Sequence, residues 1–144
     1  MPSPVYRVKL LSRREVAVGT SVFEFEKPAG FEFKPGQFID MTLINPSYTD
    51  EKGPNRDFSI ASSPREPNLM ITMRMRNTAF KNFLKTAPLG TSVQIKGPFG
   101  NLILGENSNR PVIILTGGIG ITPFRSMVKY ATEEKLPHKI FLFY

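Results

Sequence analysis

The chain contains no cysteine, and its only histidine is His138. Without thiols there can be no disulfide, no thiolate metal site and no iron–sulfur cluster held by the chain's own residues. A single histidine excludes a histidine-rich metal centre or a histidine relay, so no metal-ligating set is expected. Redox chemistry, if present, must come from a bound organic cofactor. Long apolar runs are missing too: none approaches the ~18 residues that span a membrane. Met1–Tyr6 lacks the basic and apolar regions of a signal peptide. A soluble, cytoplasmic protein is the expectation.

Acidic residues are scarce, 12 against 19 lysines and arginines, which leaves a formal net charge of +7. That balance favours anionic partners, including phosphorylated cofactors and acidic electron carriers. The basic residues are scattered and no nucleic-acid motif accompanies them, so nucleic acid is not expected as a partner. A length of 144 residues fits one domain, or one domain and part of another. Thirteen prolines and eleven glycines suit short strands joined by turns.

Two compositional zones meet near Gly105 to Arg110. Before that point Tyr6–Leu10, Ser21–Glu26 and Leu69–Arg76 alternate polar and apolar residues, the period of half-buried strands. Lys34-Pro35-Gly36-Gln37 and Asn45-Pro46-Ser47 supply turns between them. The rhythm predicts a small antiparallel barrel. One helix is predicted from about Ala79 to Ala87, with Phe80, Phe83, Leu84 and Ala87 on one face. Beyond the linker Asn107-Ser108-Asn109, Pro111–Thr116 reads as a parallel strand buried on both faces. A glycine turn follows, then a helix from about Pro123 to Lys135 whose apolar face holds Phe124, Met127, Val128 and Ala131. Lys139–Tyr144 reads as the next parallel strand. The predicted organisation is a barrel over residues 1–105 and one β-α-β unit over 106–144. A two-stranded sheet with one helix buries too little surface to stand alone. The chain is therefore expected to be a fragment, or to dock this unit on the barrel or on a partner. The exposed apolar strand at Phe141–Tyr144 makes self-association plausible.

Three segments could carry chemistry. In Arg56-Asp57-Phe58-Ser59, Arg56 and Phe58 lie two apart on a strand and so project from one face. A guanidinium beside an aromatic ring suits a diphosphate and a planar heterocycle, although an isolated Arg-x-Phe is usually a surface arginine next to a core ring. At Thr78–Lys81, Thr78 can cap the helix, but Lys81 stands where a capping box has Glu or Gln. A cation there opposes the helix dipole unless an anion binds, and a solvated lysine is an equal reading. In Gly117-Gly118-Ile119-Gly120-Ile121-Thr122-Pro123, glycines between strand and helix let a diphosphate approach the backbone. The spacing departs from G-x-G-x-x-G. Pro123 suits the first helical position, where its missing amide costs nothing. Asp57 and the pair Glu133-Glu134 read as solvated, with no acid/base pair among the carboxylates.

These segments, in this order, resemble the ferredoxin–NADP reductase family, also called the phthalate dioxygenase reductase type. The resemblance covers nearly the whole chain. It implies a mainly β protein: a six-stranded, Greek-key, riboflavin-synthase-like FAD barrel, then the opening of an α/β NAD(P) lobe, truncated within it. It implies that Arg56 binds the flavin diphosphate, Phe58 stacks on the isoalloxazine, and Ser59 hydrogen-bonds near flavin N5, with Ile60 following in the same seat. Phe58 lacks the hydroxyl of the family's tyrosine variant. Thr78, Phe80 and Lys81 belong to the diphosphate helix by the same likeness, and Met73 and Arg74 to the ribityl side, with strand packing and solvent as their alternative roles. Gly117, Gly118 and Gly120 would approach the nicotinamide nucleotide, and Thr122 the contact between the two cofactors. Ser59 and Thr122 are the residues placed nearest the chemistry. Gly97-Pro98-Phe99-Gly100 is similar to the family's barrel-closing turn and is read as structural.

The implied activity is electron transfer between NAD(P)H and an acceptor such as ferredoxin, flavodoxin or an oxygenase component, through bound FAD. The chain alone is expected to bind FAD and be reduced slowly. Two alternatives stand beside it: a noncatalytic flavin-binding electron-transfer module that needs a partner subunit, and a barrel that binds no cofactor.

Overall fold

Six antiparallel strands build the larger part of the computed structural model, which describes residues 3–144. Met1 and Pro2, part of the segment considered for a leader, lie outside the described residues. The strands are β1 (Val5–Ala17), β2 (Thr20–Glu26), β3 (Phe38–Leu43), β4 (Asn55–Ser59), β5 (Asn68–Arg74) and β6 (Ser92–Phe99). Their order is β4-β3-β6-β1-β2-β5, the crossed connectivity of a Greek key. β1 serves two neighbours. Val5–Lys9 pair with β6, and Leu10–Ala17 pair with β2 after a register shift between Leu10 and Ser12. Such a bulge turns a corner without breaking the strand.

Period-two alternation explains the core. Phe23 and Phe25, Ile39 and Met41, Leu69 and Ile71, Val93 and Ile95 all point inward and are essentially inaccessible. Each such side chain contributes about 1.5–3 kcal/mol through burial. The seam between β4 and β5 carries few ladder bonds. Ala61 N donates to the Met70 carbonyl at 2.8 Å, and Met70 N donates to Ser62 Oγ at 3.0 Å, a side chain standing in for a strand. The predicted turn at Gly97–Gly100 is corrected: Gly97, Pro98 and Phe99 lie within β6, where the ladder to β3 shifts register. Gly97 has φ +140°, and a β-carbon there would sit 3.2 Å from the Phe38 carbonyl oxygen, so the glycine requirement holds at a bulge instead of a turn.

Helix α1 (Ala79–Thr86) plugs one end of the barrel with Phe80 and Leu84. Its C-terminal carbonyls, Leu84 and Ala87, accept from Arg13 Nη1, which complements the negative end of the helix.

The remaining elements are β7 (Val112–Leu115), a 3₁₀ turn at Gly118–Ile121, α2 (Thr122–Glu133) and β8 (Ile140–Phe143). β7 and β8 pair in parallel, as expected. The expectation of burial on both faces is not met: Ile114 is buried, but Ile113, Leu115, Phe141 and Phe143 are exposed. One face of this sheet packs inward and the other is open.

The α2 face also differs from its prediction. Thr122, Pro123, Ser126, Met127 and Ala131 are buried, whereas Phe124 and Val128 are only half-buried. The reason is polar. Ser126 Oγ donates to the Ser62 carbonyl at 2.7 Å, and Arg125 Nη1 donates to the Ala61 carbonyl at 2.7 Å. Arg125 also pairs with Glu66, Lys129 pairs with Glu133, and Arg65 pairs with Glu134. Ser63 Oγ bonds Glu133 as well. Glu133 and Glu134, read from the sequence as solvated, thus tie α2 to the barrel. The β-α-β unit docks on the barrel, one of the outcomes the sequence anticipated.

Candidate functional site

β4 ends beside the N-terminus of α1, and this juxtaposition builds the site. Arg56 and Phe58 occupy alternate positions of β4, opposite Met41 and Ile39, and Asp57 between them is exposed. Both side chains converge on Phe80. The Arg56 guanidinium lies 5.4 Å from the centroid of that ring, and the Phe58 ring centroid lies 5.6 Å from it. Phe80 is 1% exposed and fixed in the core, so it anchors the pair. Phe58 stays half-buried, with part of its surface available for stacking.

The guanidinium is held by the β3–β4 loop through both terminal nitrogens. Nη1 donates to the carbonyls of Lys52 (2.8 Å), Gly53 (2.9 Å) and Asn55 (2.5 Å). Nη2 donates to Asp50 Oδ1 at 3.2 Å. The same carboxylate receives Lys52 N on Oδ1 and Ala79 N on Oδ2, each at 3.0 Å. A negative charge therefore sits at the first turn of α1, and the chain supplies it. Thr78 is the N-cap, as predicted, its Oγ1 accepting from Lys81 N at 3.4 Å. The Lys81 ammonium donates to the Arg74 carbonyl.

The electrostatics agree with an anion seat. Burial, reinforced by the charges of Arg76, Arg56 and Lys52, pulls the Lys81 ammonium below its usual range. Burial would raise the Asp50 carboxyl, but bonds from the Ala79 and Lys52 amides and from Arg56 outweigh it and hold the group below the usual range. Three cations crowd the Lys81 ammonium while Arg56 alone pairs with the carboxylate, an arrangement that a more highly charged anion would relieve.

The other predicted residues fall as follows. Ser59 ends β4 and is half-buried. Ile60 and Met73 are core residues, 0% and 2% exposed, so only their main chains can face a ligand. Arg74 is exposed at the end of β5. Gly117, Gly118 and Gly120 are exposed on the 3₁₀ turn, and Gly118 has φ +55°. Thr122 is 8% exposed, and its hydroxyl donates to the Ile119 carbonyl at 3.1 Å, so it is already satisfied internally. Arg74 links the two halves: its carbonyl meets Lys81, and its side chain shares a groove with Gly118, Ile119 and Tyr144.

Sequence reasoning missed Asp50 and Lys52. The available signal was an acidic residue in a turn, Asp50-Glu51-Lys52-Gly53, just before Arg56. A groove of about 430 Å³ runs from Ser47 and Tyr48 on this loop along α1 to Thr86. A larger cleft, about 610 Å³, lies elsewhere, between the Phe33–Pro35 turn and the Leu136–His138 segment, and shares no residue with the Arg56 cluster. Among the described residues no group of His, Asp and Glu could hold a metal ion, and no helix is long and apolar enough to cross a membrane.

Comparison with known proteins sets this geometry in context. No protein-family model matches the chain. Sulfhydrogenase 2 subunit gamma from Pyrococcus furiosus is 32% identical over 144 residues, which covers 97% of this chain and 46% of that protein. The crystal structure of phthalate dioxygenase reductase, described as a modular structure for electron transfer from pyridine nucleotides to [2Fe-2S], superposes with a TM-score of 0.79 at 23% identity. That likeness covers 97% of this chain and 43% of the other. A ferredoxin–NADP+ reductase from Neisseria gonorrhoeae with bound FAD and NADP superposes with a TM-score of 0.77 at 20% identity, over 96% of this chain and 56% of the other. The chain spans less than half the length of the curated relatives it matches. Strand order, docked β-α-β unit and these likenesses together show that the chain has the fold of the matching parts of these reductases.

Proposed function

We propose that this chain is the flavin-holding part of an NAD(P)H-dependent oxidoreductase, with residues 1–105 as the FAD barrel and 106–144 as the start of the nucleotide lobe. The observation that carries this reading is the anion seat itself. A carboxylate already occupies a cation-lined helix N-terminus, and its partner Arg56 lies two residues from the half-buried Phe58 ring on β4. A diphosphate on a planar heterocycle matches both features. Arg56, Lys81 and the first-turn amides at Ala79 and Phe80 would hold the diphosphate, and Phe58 would stack on the ring system. Ser59 would donate or accept at the ring's edge. Gly117, Gly118, Gly120 and Thr122 would receive the pyridine nucleotide. Bound there, FAD would supply the redox chemistry, accepting a hydride and releasing electrons singly or in pairs. The chain's own part is positioning and exclusion of water, which is what hydride transfer most needs.

The test is the visible spectrum of the chain after incubation with FAD and removal of unbound flavin. A retained, structured flavin band is expected. Arg56→Ala should weaken retention roughly ten- to hundred-fold, the worth of a charge-assisted hydrogen bond. A colourless wild-type protein would overturn the reading. Reduction by NAD(P)H should be slow for this chain alone, because the glycine turn is exposed. Stopped-flow reduction at about 1–10³ per second would contradict that expectation.

The acceptor in this reading is a ferredoxin, a flavodoxin or an oxygenase component, favoured by the net charge of +7. A cytoplasmic setting follows from the pyridine-nucleotide reductant. The exposed glycine turn also favours a second reading, an electron-transfer module completed by a partner subunit. Self-association through the β7–β8 sheet rests on its open apolar face alone.

A further inference from the structure

We propose that Asp50 is an internal anion that latches the seat at α1 shut, and that a ligand diphosphate binds by displacing it. The inference rests on the flavin reading for the identity of the ligand, while the Asp50 contacts it is argued from belong to the fold. Asp50 makes three contacts to groups that would otherwise receive an anion or flank one: Arg56 Nη2 at 3.2 Å, Lys52 N at 3.0 Å and Ala79 N at 3.0 Å. The carbonyls of Lys52, Gly53 and Asn55 take the other edge of the guanidinium. While this loop holds its place, Arg56 Nη1 and one hydrogen of Nη2 are taken, and the α1 first-turn amide at Ala79 is not free.

The loop is built to be exchanged. Its turn is closed by a single main-chain bond, Gly53 N to the Asp50 carbonyl at 2.9 Å, with Gly53 at φ +68°. Only hydrogen bonds and one ion pair hold Asp50, whose side chain is 26% exposed. No residue from Asn45 to Lys52 belongs to the buried hydrophobic core. The surrounding charge favours the exchange: Arg56 pairs with Asp50, while Arg56, Arg76 and Lys52 crowd the Lys81 ammonium, so replacing one negative charge with two or more improves the balance. Asp50 thus sets the affinity of the seat. It neutralises Arg56 and raises the threshold a ligand must overcome, which discriminates against singly charged anions.

The experiment uses the full chain and two probes, FAD followed by flavin fluorescence and inorganic pyrophosphate followed by calorimetry. Asp50→Asn keeps the size and an acceptor for Ala79 N while removing the charge. It is expected to bind both probes about tenfold more tightly than wild type, with riboflavin, which has no phosphate, unaffected. Hydrogen exchange on the wild-type chain gives a readout free of substitution. Pyrophosphate should slow exchange at Ala79 N and speed it at Gly53 N as the loop is released.

The outcomes separate the two ideas. Equal or weaker FAD binding by Asp50→Asn overturns the latch and leaves the flavin reading intact. Tighter pyrophosphate binding by the variant with no FAD binding by either protein supports the latch and sinks the flavin reading. If neither probe binds either protein, both fall. Should Asp50→Asn fail to fold, the exchange experiment decides: protection at both Ala79 and Gly53 shows that the loop stays in place and overturns the proposal.

Discussion

A β-carbon on Gly36 would run into the Leu102 carbonyl and the Met127 methyl, at a φ of +103° that L side chains rarely adopt. Gly36 is therefore a point where the β2–β3 connection, the segment after β6 and α2 approach closely. Gly36→Ala should cost about 1–3 kcal/mol through overpacking, more with backbone strain. A urea midpoint equal to wild type would mean that the contact does not exist in solution. Ser126 offers a complementary test. It is fully buried and its hydroxyl donates to Ser62, whose own Oγ serves the β4–β5 seam. Ser126→Ala should cost about 1–3 kcal/mol, because it strands a buried carbonyl. Neither residue announced this role in the sequence: Ser126 sits in a predicted helix face as an apparent interruption, and its partner is 64 positions away. Arg56 and Phe58 were legible because two neighbours on one strand face need no distant partner to define them.

At the scale of elements, α2 is held to the barrel largely by charge. Burial would raise the Glu66 carboxyl, but hydrogen bonds from Arg125 and from Ser63 N, with the charges of Arg125 and Lys129, hold it below its ordinary 4.5. The bond from Ser63 does the same for Glu133, and the bond from Arg65 for Glu134. Each carboxyl has a folded pKa below its unfolded one. Its contribution to stability is thus complete above about 4.5 and is lost as pH falls through the lower, folded value. Thermal midpoints should be flat above pH 5, roughly, and decline below it. Glu66→Gln should lower the midpoint at neutral pH and flatten the acid decline. An unchanged acid slope would show that Glu66 does not couple α2 to the barrel. The same charged contacts explain why the sequence misplaced the α2 face: periodicity counts apolar residues, and this docking face is half polar.

Over the whole molecule, the barrel and the β-α-β unit share an interface, so a single unfolding transition is expected, with far-UV circular dichroism and tyrosine fluorescence coinciding. Two separated transitions would mean that the α2 contacts are too weak to couple the parts. The open face of Ile113, Leu115, Phe141 and Phe143 is the largest departure from a sealed surface. Sedimentation should show an average mass that rises with concentration, and Ile113→Lys should suppress the rise without lowering the thermal midpoint. A concentration-independent monomer would remove self-association through this face.

What the sequence by itself determined was everything that local spacing encodes. Alternation marked the strands, the Thr78 cap and the Phe80/Leu84 face marked α1, and the run into Gly117 marked the parallel strand. The order of the motifs pointed to the family. Tertiary structure alone decided which groups meet. It put Asp50 into the seat that the spacing of Arg56 and Lys81 had left for an anion, and it joined Ser62 to Ser126 and Glu66 to Arg125. It also left one face of the β7–β8 sheet uncovered. The physical reason is range: hydrophobic period and caps act within a turn or two of chain, whereas ion pairs and buried hydroxyl bonds depend on which distant segments the closed barrel brings together.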